Sequence, residues 1–189
     1  MPKCILTAMH ALPSQNGAPF RYSEQALAEV QALTKKYPPG CAKSALLRAL
    51  HIAQEENGGW LSLSAMDHVA EVLGLKPIEV YEVATFYSMY NLQPVGKYVL
   101  EFCHTGPCAI KGAERLIEYT RRKLGIATGE TTPDGLFTIK EVECLGACGY
   151  APMMQVGAFY HEHLTEEKID RFLEDCRAGK IEKGSWKMH

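Results

Sequence analysis

Residues 97–108 read KYVLEFCHTGPC, and this stretch sets the architecture of the second half of the chain. Tyr98, Leu100 and Phe102 alternate with Val99 and Glu101, the period-two pattern of a strand. The strand over 97–102 runs into Cys103, and Cys108 completes a C-x4-C pair. A helical pattern follows: Ala113, Leu116, Ile117, Thr120 and Leu124 lie on one stripe, and Gly125 ends it. Pro133, Asp134 and Gly135 make a turn before a second strand over 136–142. The second pair, Cys144 and Cys148, comes directly after it as C-x3-C. Segments 153–156 and 158–161 suggest a hairpin around Gly157. Thr165 caps a last helix, with Glu166 and Glu167 in its first turn, Ile169, Phe172, Leu173 and Cys176 as its buried stripe and Gly179 at its end. The order implies a small α/β domain over 94–179 with one mixed sheet.

Upstream the pattern is helical. Ser23 caps a helix that presents Leu27, Val30 and Leu33 on one face, and Pro38, Pro39 and Gly40 stop it. A second helix is expected over 42–56, with Leu46, Leu47, Leu50 and Ala53 inward. Ser64 and Asp67 read as an S-x-x-D capping box for a third, which Gly74 terminates. Pro77 opens a fourth, with Ile78, Tyr81, Ala84 and Phe86 or Tyr87 available for packing. These four make a small helical bundle over 22–93. Residues 1–21 read as an irregular arm and 180–189 as a loose tail. The fold class is therefore α+β.

Apolar residues form 47% and charged residues 22% of the 189 residues, an ordinary globular balance. A formal net charge of −2, with no basic block, argues against a nucleic-acid partner or an anionic membrane surface. No stretch approaches the roughly 20 apolar residues of a membrane span. The apolar run from Cys4 to Met9 is too short for a signal sequence. A cytoplasmic location follows as an expectation. Seven cysteines, an odd number, then suggest metal or redox chemistry more than a disulfide framework.

Both cysteine pairs follow strands, and strand ends in α/β sheets gather on one edge where ligands bind. Gly106, Gly146 and Gly149 beside them let backbone approach closely, so that N–H groups can point at sulfur. Pro107 and Pro152 stiffen the two loops. A two-iron cluster needs two thiolates on each iron, and Cys103, Cys108, Cys144 and Cys148 could supply them. Spacing alone leaves a four-cysteine zinc site, and with it a zinc-stabilised interaction module, in play. A thioredoxin-type disulfide reductase would want a C-x-x-C, which is absent.

The stretch from Val142 through Cys148, with Ala151, Pro152, Gln155 and Val156, resembles the 24 kDa subunit family of respiratory complex I. So do Cys103 and Cys108 with Gly112 and Ala113, the segment from Val83 to Ser88, and the turn and strand from Thr132 to Phe137. The resemblance covers about residues 22–179. It implies a helical N-terminal part followed by a thioredoxin-like ferredoxin domain, with a 2Fe-2S cluster on Cys103, Cys108, Cys144 and Cys148. It implies a flavin subunit of the 51 kDa type that holds FMN and NADH, and a large iron–sulfur subunit, as partners. The chain would exchange one electron with that FMN, without a catalytic residue, NADH site or quinone site of its own. The absence of a GxGxxG fingerprint agrees. Attachment would be peripheral, on the cytoplasmic side of the inner membrane. The same module occurs in NAD-linked hydrogenases and formate dehydrogenases.

The remaining candidates read more plainly. Cys176 is core, and Cys4 and Cys41 are incidental. His104 neighbours a ligand and reads as a loop histidine facing solvent. His161 and His163 read as surface residues. Phe86, Tyr87 and Tyr90 read as packing between and within domains, and Trp60 as an anchor of the helical part or a contact to a partner. The outer face of the helical part is expected to dock the flavin subunit.

Overall fold

The structure is a computed structural model that describes residues 19–182. Cys4, most of the expected arm and the end of the expected tail lie outside the described residues. Two compact units divide between Pro94 and Val95.

The first unit is helical. Ser23 accepts the Ala26 N–H and opens α1 (Glu24–Thr34), whose Val30 is fully buried. The helix expected over 42–56 splits into a 3₁₀ turn (Ala42–Ala45) and α2 (Leu46–Glu56). Leu46, Ala49, Leu50 and Ala53 form the buried stripe of α2 at i, i+3, i+4 and i+7. Leu47 stands beside that stripe and is exposed, contrary to expectation.

The cap of α3 (Leu63–Leu73) is also a correction. Ser62, not Ser64, accepts the Ala65 N–H. Ser64 Oγ accepts the Phe20 N–H at 2.8 Å, and Asp67 accepts the Tyr81 hydroxyl. Phe20, at the edge of the expected arm, is thereby held in the core. Gly74 ends α3 in the left-handed conformation at φ 65°, as expected of an αL cap.

Pro77 opens α4 (Pro77–Phe86), and Glu79 reaches back to the Lys76 N–H at 3.1 Å. Val80 and Ala84, four residues apart, face the core. Ile78 and Phe86 fall on the other side of the same helix and are 57% and 78% exposed. Phe86 and Tyr87 pack on each other, ring centroids 5.0 Å apart, and not into the core of this unit. Tyr90 is buried and donates to the Leu47 carbonyl at 2.8 Å.

The second unit is a four-stranded mixed sheet in the order β2-β1-β3-β4. β1 (Tyr98–Cys103) and β2 (Phe137–Val142) run parallel. Parallel neighbours need a crossover, and α6 (Ala113–Leu124) supplies it after the short α5 (Gly106–Ile110). β3 (Met154–Val156) is antiparallel to β1 and turns through Gly157 into β4 (Phe159–His161). Tyr98, Leu100, Phe102, Phe137 and Ile139 project from one sheet face. They pack with Leu116 and Ile117 of α6 and with Ile169, Phe172, Leu173 and Cys176 of α7 (Glu166–Arg177). Full burial of one such side chain stabilises by about 1.5–3 kcal/mol.

Two contacts fix the margins of this unit. Tyr98 Oη donates to the Ile181 carbonyl at 2.9 Å, which ties down a residue of the expected loose tail. Gly96 packs so closely that a Cβ there would lie 2.9 Å from backbone atoms of Leu136 and Phe137.

Candidate metal centre

Because β1 and β2 are parallel, both point their carboxyl ends to the same edge of the sheet. Cys103 is the last residue of β1, in register with Val142, the last of β2. Two residues later the chain reaches Cys144. The His104 N–H donates to the Val142 carbonyl and the Cys103 N–H to the Met153 carbonyl, both at 3.3 Å. These bonds lace the strand ends and the segment before β3 together.

The sequence between Cys103 and Cys108 forms a turn and then α5. Gly106 takes a left-handed φ of 46°, and Pro107 in the first turn has no N–H to leave unsatisfied. Cys108 thereby turns back toward Cys103. Both are 2% exposed and pack with Ala113, Ala151 and Met153. The second pair is the opposite in exposure. Cys144 and Cys148 are both exposed, with their sulfurs 3.5 Å apart. Gly146, at φ 80°, donates its N–H to Cys144 Sγ at 3.4 Å. Tyr160 Oη holds this loop by donating to the Leu145 carbonyl at 2.6 Å.

Backbone donors converge on the sulfurs. Burial pushes the Cys103 thiol up, but the N–H groups of Thr105 and Leu145 and the Cys108 thiol more than offset it, so Cys103 sits below the ordinary thiol range. Leu145 belongs to the second loop, so its N–H solvates a sulfur of the first. Burial, and then the hydrogen bond to Cys103, raise the Cys108 thiol to about 11 against the Met153 N–H. Both effects favour the negative charge on Cys103 over Cys108 within the first pair. Within the second pair, the hydrogen bond shared with Cys144, and then the charge of Cys144, raise the Cys148 thiol.

Four thiols in two pairs, ringed by N–H donors and partly walled by apolar groups, are a donor set that fits a thiolate-bound iron–sulfur group. Among the described residues, no three His, Cys, Asp or Glu side chains draw together around a single-ion position.

The other candidates separate from this site. Cys176 is buried in the sheet core, and burial raises its thiol to about 12. Cys41 is exposed in the helical unit. His104 is partly exposed, with Nε2 3.9 Å from Glu143. His163 is exposed on its loop, its ring 5.7 Å from Tyr150. His161 is not a plain surface residue: its ring meets Phe172 at 4.5 Å, and burial lowers its pKa. Leu145, Met153 and Thr105 act through backbone N–H groups, which no side-chain pattern reveals. The short helix carrying Cys108 did have a signal, the Gly106-Pro107 dipeptide. Another unforeseen feature is Glu101 paired with Lys140 at 3.7 Å, at the same register of β1 and β2.

A sequence model of the thioredoxin-like 2Fe-2S ferredoxin family matches residues 30–177. The E-type subunit of NADH-quinone oxidoreductase from Rickettsia typhi is 44% identical over 155 residues, covering 82% of this chain and 91% of its own. The mitochondrial NADH dehydrogenase (ubiquinone) flavoprotein 2 of Dictyostelium discoideum is 43% identical over 162 residues, covering 86% of this chain and 66% of its own. Among solved structures, a NAD+-reducing NiFe-hydrogenase in the air-oxidised state superposes with a TM-score of 0.63 at 24% identity. That match covers 75% of this chain and only 24% of the hydrogenase chain, so the similarity is one of fold.

Proposed function

The chain belongs to the thioredoxin-like 2Fe-2S ferredoxin family, together with the E-type subunits of NADH-quinone oxidoreductase, and from that premise we propose that it carries single electrons within such a complex. The observation that supports this reading most directly is the convergence of Cys103, Cys108, Cys144 and Cys148 at one sheet edge, with backbone N–H groups aimed at their sulfurs.

These four thiolates would hold a 2Fe-2S cluster, two on each iron. When bound, that group supplies reversible one-electron oxidation and reduction. The chain's own residues do the rest. Cys103 and Cys108 hold their end away from water, among Ala113, Ala151 and Met153. The N–H groups of Leu145, Gly146, Thr105 and Met153 stabilise negative charge on sulfur. Tyr160 fixes the Leu145 loop so that those donors do not have to reorganise.

The electron partner in this reading is FMN on a separate flavin subunit, which also binds NADH. A large iron–sulfur subunit is the second neighbour. Domain limits near 22–93 and 94–179 belong to the same proposal, with the helical part as the docking element. Among the described residues no helix is long and apolar enough to cross a membrane. In this reading attachment is peripheral, through the complex, on the cytoplasmic side of the inner membrane.

Anaerobic purification tests the proposal. The expected result is a coloured protein with two irons and two sulfides per chain and an EPR signal on reduction. A colourless chain with stoichiometric zinc would overturn it in favour of a zinc-stabilised module. The alternative assembly is an NAD-linked hydrogenase or formate dehydrogenase. Co-purified partners decide between them: a quinone-reducing arm supports the reading here, and a hydrogenase or formate dehydrogenase subunit replaces it.

A further inference from the structure

The two cysteine pairs differ in one respect that bears on the chain before it carries a metal. Cys103 and Cys108 are 2% exposed, one at a strand end and the other in a helix. Cys144 and Cys148 are exposed, Cys144 in the loop that follows β2 and Cys148 at the first residue of a 3₁₀ turn (Cys148–Tyr150). Their sulfurs are already 3.5 Å apart, and closing to a disulfide needs only about 1.5 Å more. Gly146 lies midway between them at φ 80°, with nothing within 4 Å of where a Cβ would stand. The loop thus has space in which to close, and the tethered sulfurs face solvent.

We propose that Cys144 and Cys148 form a reversible oxidation site in the metal-free chain, closing into a disulfide while Cys103 and Cys108 remain thiols, and that this disulfide blocks cluster loading. The oxidant is a small disulfide of the glutathione type. One cysteine thiolate attacks it, the small disulfide's S–S bond breaks, and one small thiolate leaves. The second cysteine then attacks the mixed disulfide and releases the other small thiol. Two protein thiols lose two electrons and two protons, and the small disulfide is reduced to two thiols. The first pair resists because an oxidant reaches it only after local opening. With the exposed pair closed, two of the four proposed ligands are unavailable until a reductant reopens them. The loading consequence rests on the ligand assignment above; the disulfide itself does not.

The two pairs fall on separate tryptic peptides, residues 98–111 and 141–168, so they can be read independently. The full-length metal-free chain is incubated with oxidised glutathione, quenched with an alkylating agent under denaturing conditions, and digested. The 141–168 peptide should appear unalkylated and two hydrogens lighter, at a rate at least about tenfold above any change in 98–111. Equal rates, a faster first pair, or a stable glutathione adduct in place of the ring would overturn the proposal. The oxidised chain is then offered ferrous iron and sulfide, with and without dithiothreitol, and its visible absorption is followed. Colour only after dithiothreitol supports the block, and equal colour without it refutes the block. If the ring forms but the reduced chain takes up no iron, the ligand assignment fails and the oxidation site stands.

Discussion

Cys103 and Val142 stand opposite one another at the ends of two parallel strands, and that register brings the two cysteine loops to a common edge. Had β1 and β2 been antiparallel, the two loops would leave opposite ends of the sheet. The parallel pairing depends on the α6 crossover and on the shared core beneath it.

Substitution of the thiols should separate site from scaffold. Serine at position 103, 108, 144 or 148 should abolish or alter the visible and EPR spectra of the anaerobically purified chain. Cys176→Ser should leave both unchanged, since Cys176 lies in the sheet core rather than in the thiol cluster. An unaltered spectrum from all four site variants would remove the assignment.

Glu101 and Lys140 are about a fifth exposed, and burial raises the Glu101 carboxyl and lowers the Lys140 ammonium. Glu101→Gln takes a countercharge away from the Lys140 ammonium in a partly buried setting. Glu101→Gln should therefore destabilise by about 2 kcal/mol, below the usual range for buried pairs because the contact is a loose 3.7 Å. The double variant Glu101→Gln/Lys140→Met should recover most of that loss. Urea denaturation of the four-member cycle measures it, and a single variant as stable as the parent contradicts it.

Gly96 has no room for a methyl group, because the obstructing atoms are backbone of Leu136 and Phe137. Its N–H also donates to Thr138 Oγ1 at 2.7 Å. Gly96→Ala should cost about 1–3 kcal/mol, read as a lower urea midpoint. Gly58→Ala is not a suitable control, since that residue has a φ of 74°. Thr128, on the same unit as Gly96, is no better, as it bonds Glu141. Lys36→Ala, an exposed change in the helical unit, is the expected near-neutral comparison.

Burial lowers both His51 and His161 below the ordinary imidazole value of 6.5. The unfolded chain then binds protons more readily than the folded one as pH falls below about 6.5. Stability conferred by the neutral rings is complete above that value and is lost progressively down through their folded values. Urea midpoints measured from pH 7.5 to 5 should fall, and His161→Gln should flatten part of the slope. A parent midpoint that rises on acidification would contradict this.

The helical unit shows where local pattern reading succeeds. The Ser23 cap, the Pro77 start and the Gly74 stop are legible because each acts within one turn of its own helix. Ser62 and Ser64 both precede the same apolar run, and local pattern favours Ser64 because Asp67 lies three residues on. The Phe20 N–H takes the Ser64 hydroxyl across 44 residues of sequence. No local rule anticipates that partner. Likewise, Ile78 and Val80 are equally apolar in sequence, and only the packing of α3 and α4 decides that Val80 faces inward.

Local sequence was enough to place the strands, most of the helices and the two thiol pairs, while cysteine spacing alone left zinc and iron–sulfur both open. Alternation, capping residues and cysteine spacing act over a few residues and survive without tertiary context. Only the assembled fold buries Cys103 and Cys108 while leaving Cys144 and Cys148 exposed. It also places the Leu145 N–H on the Cys103 sulfur and Glu101 beside Lys140. Burial, cross-strand register and backbone dipoles belong to segments far apart along the chain, and they come into being only when the sheet forms.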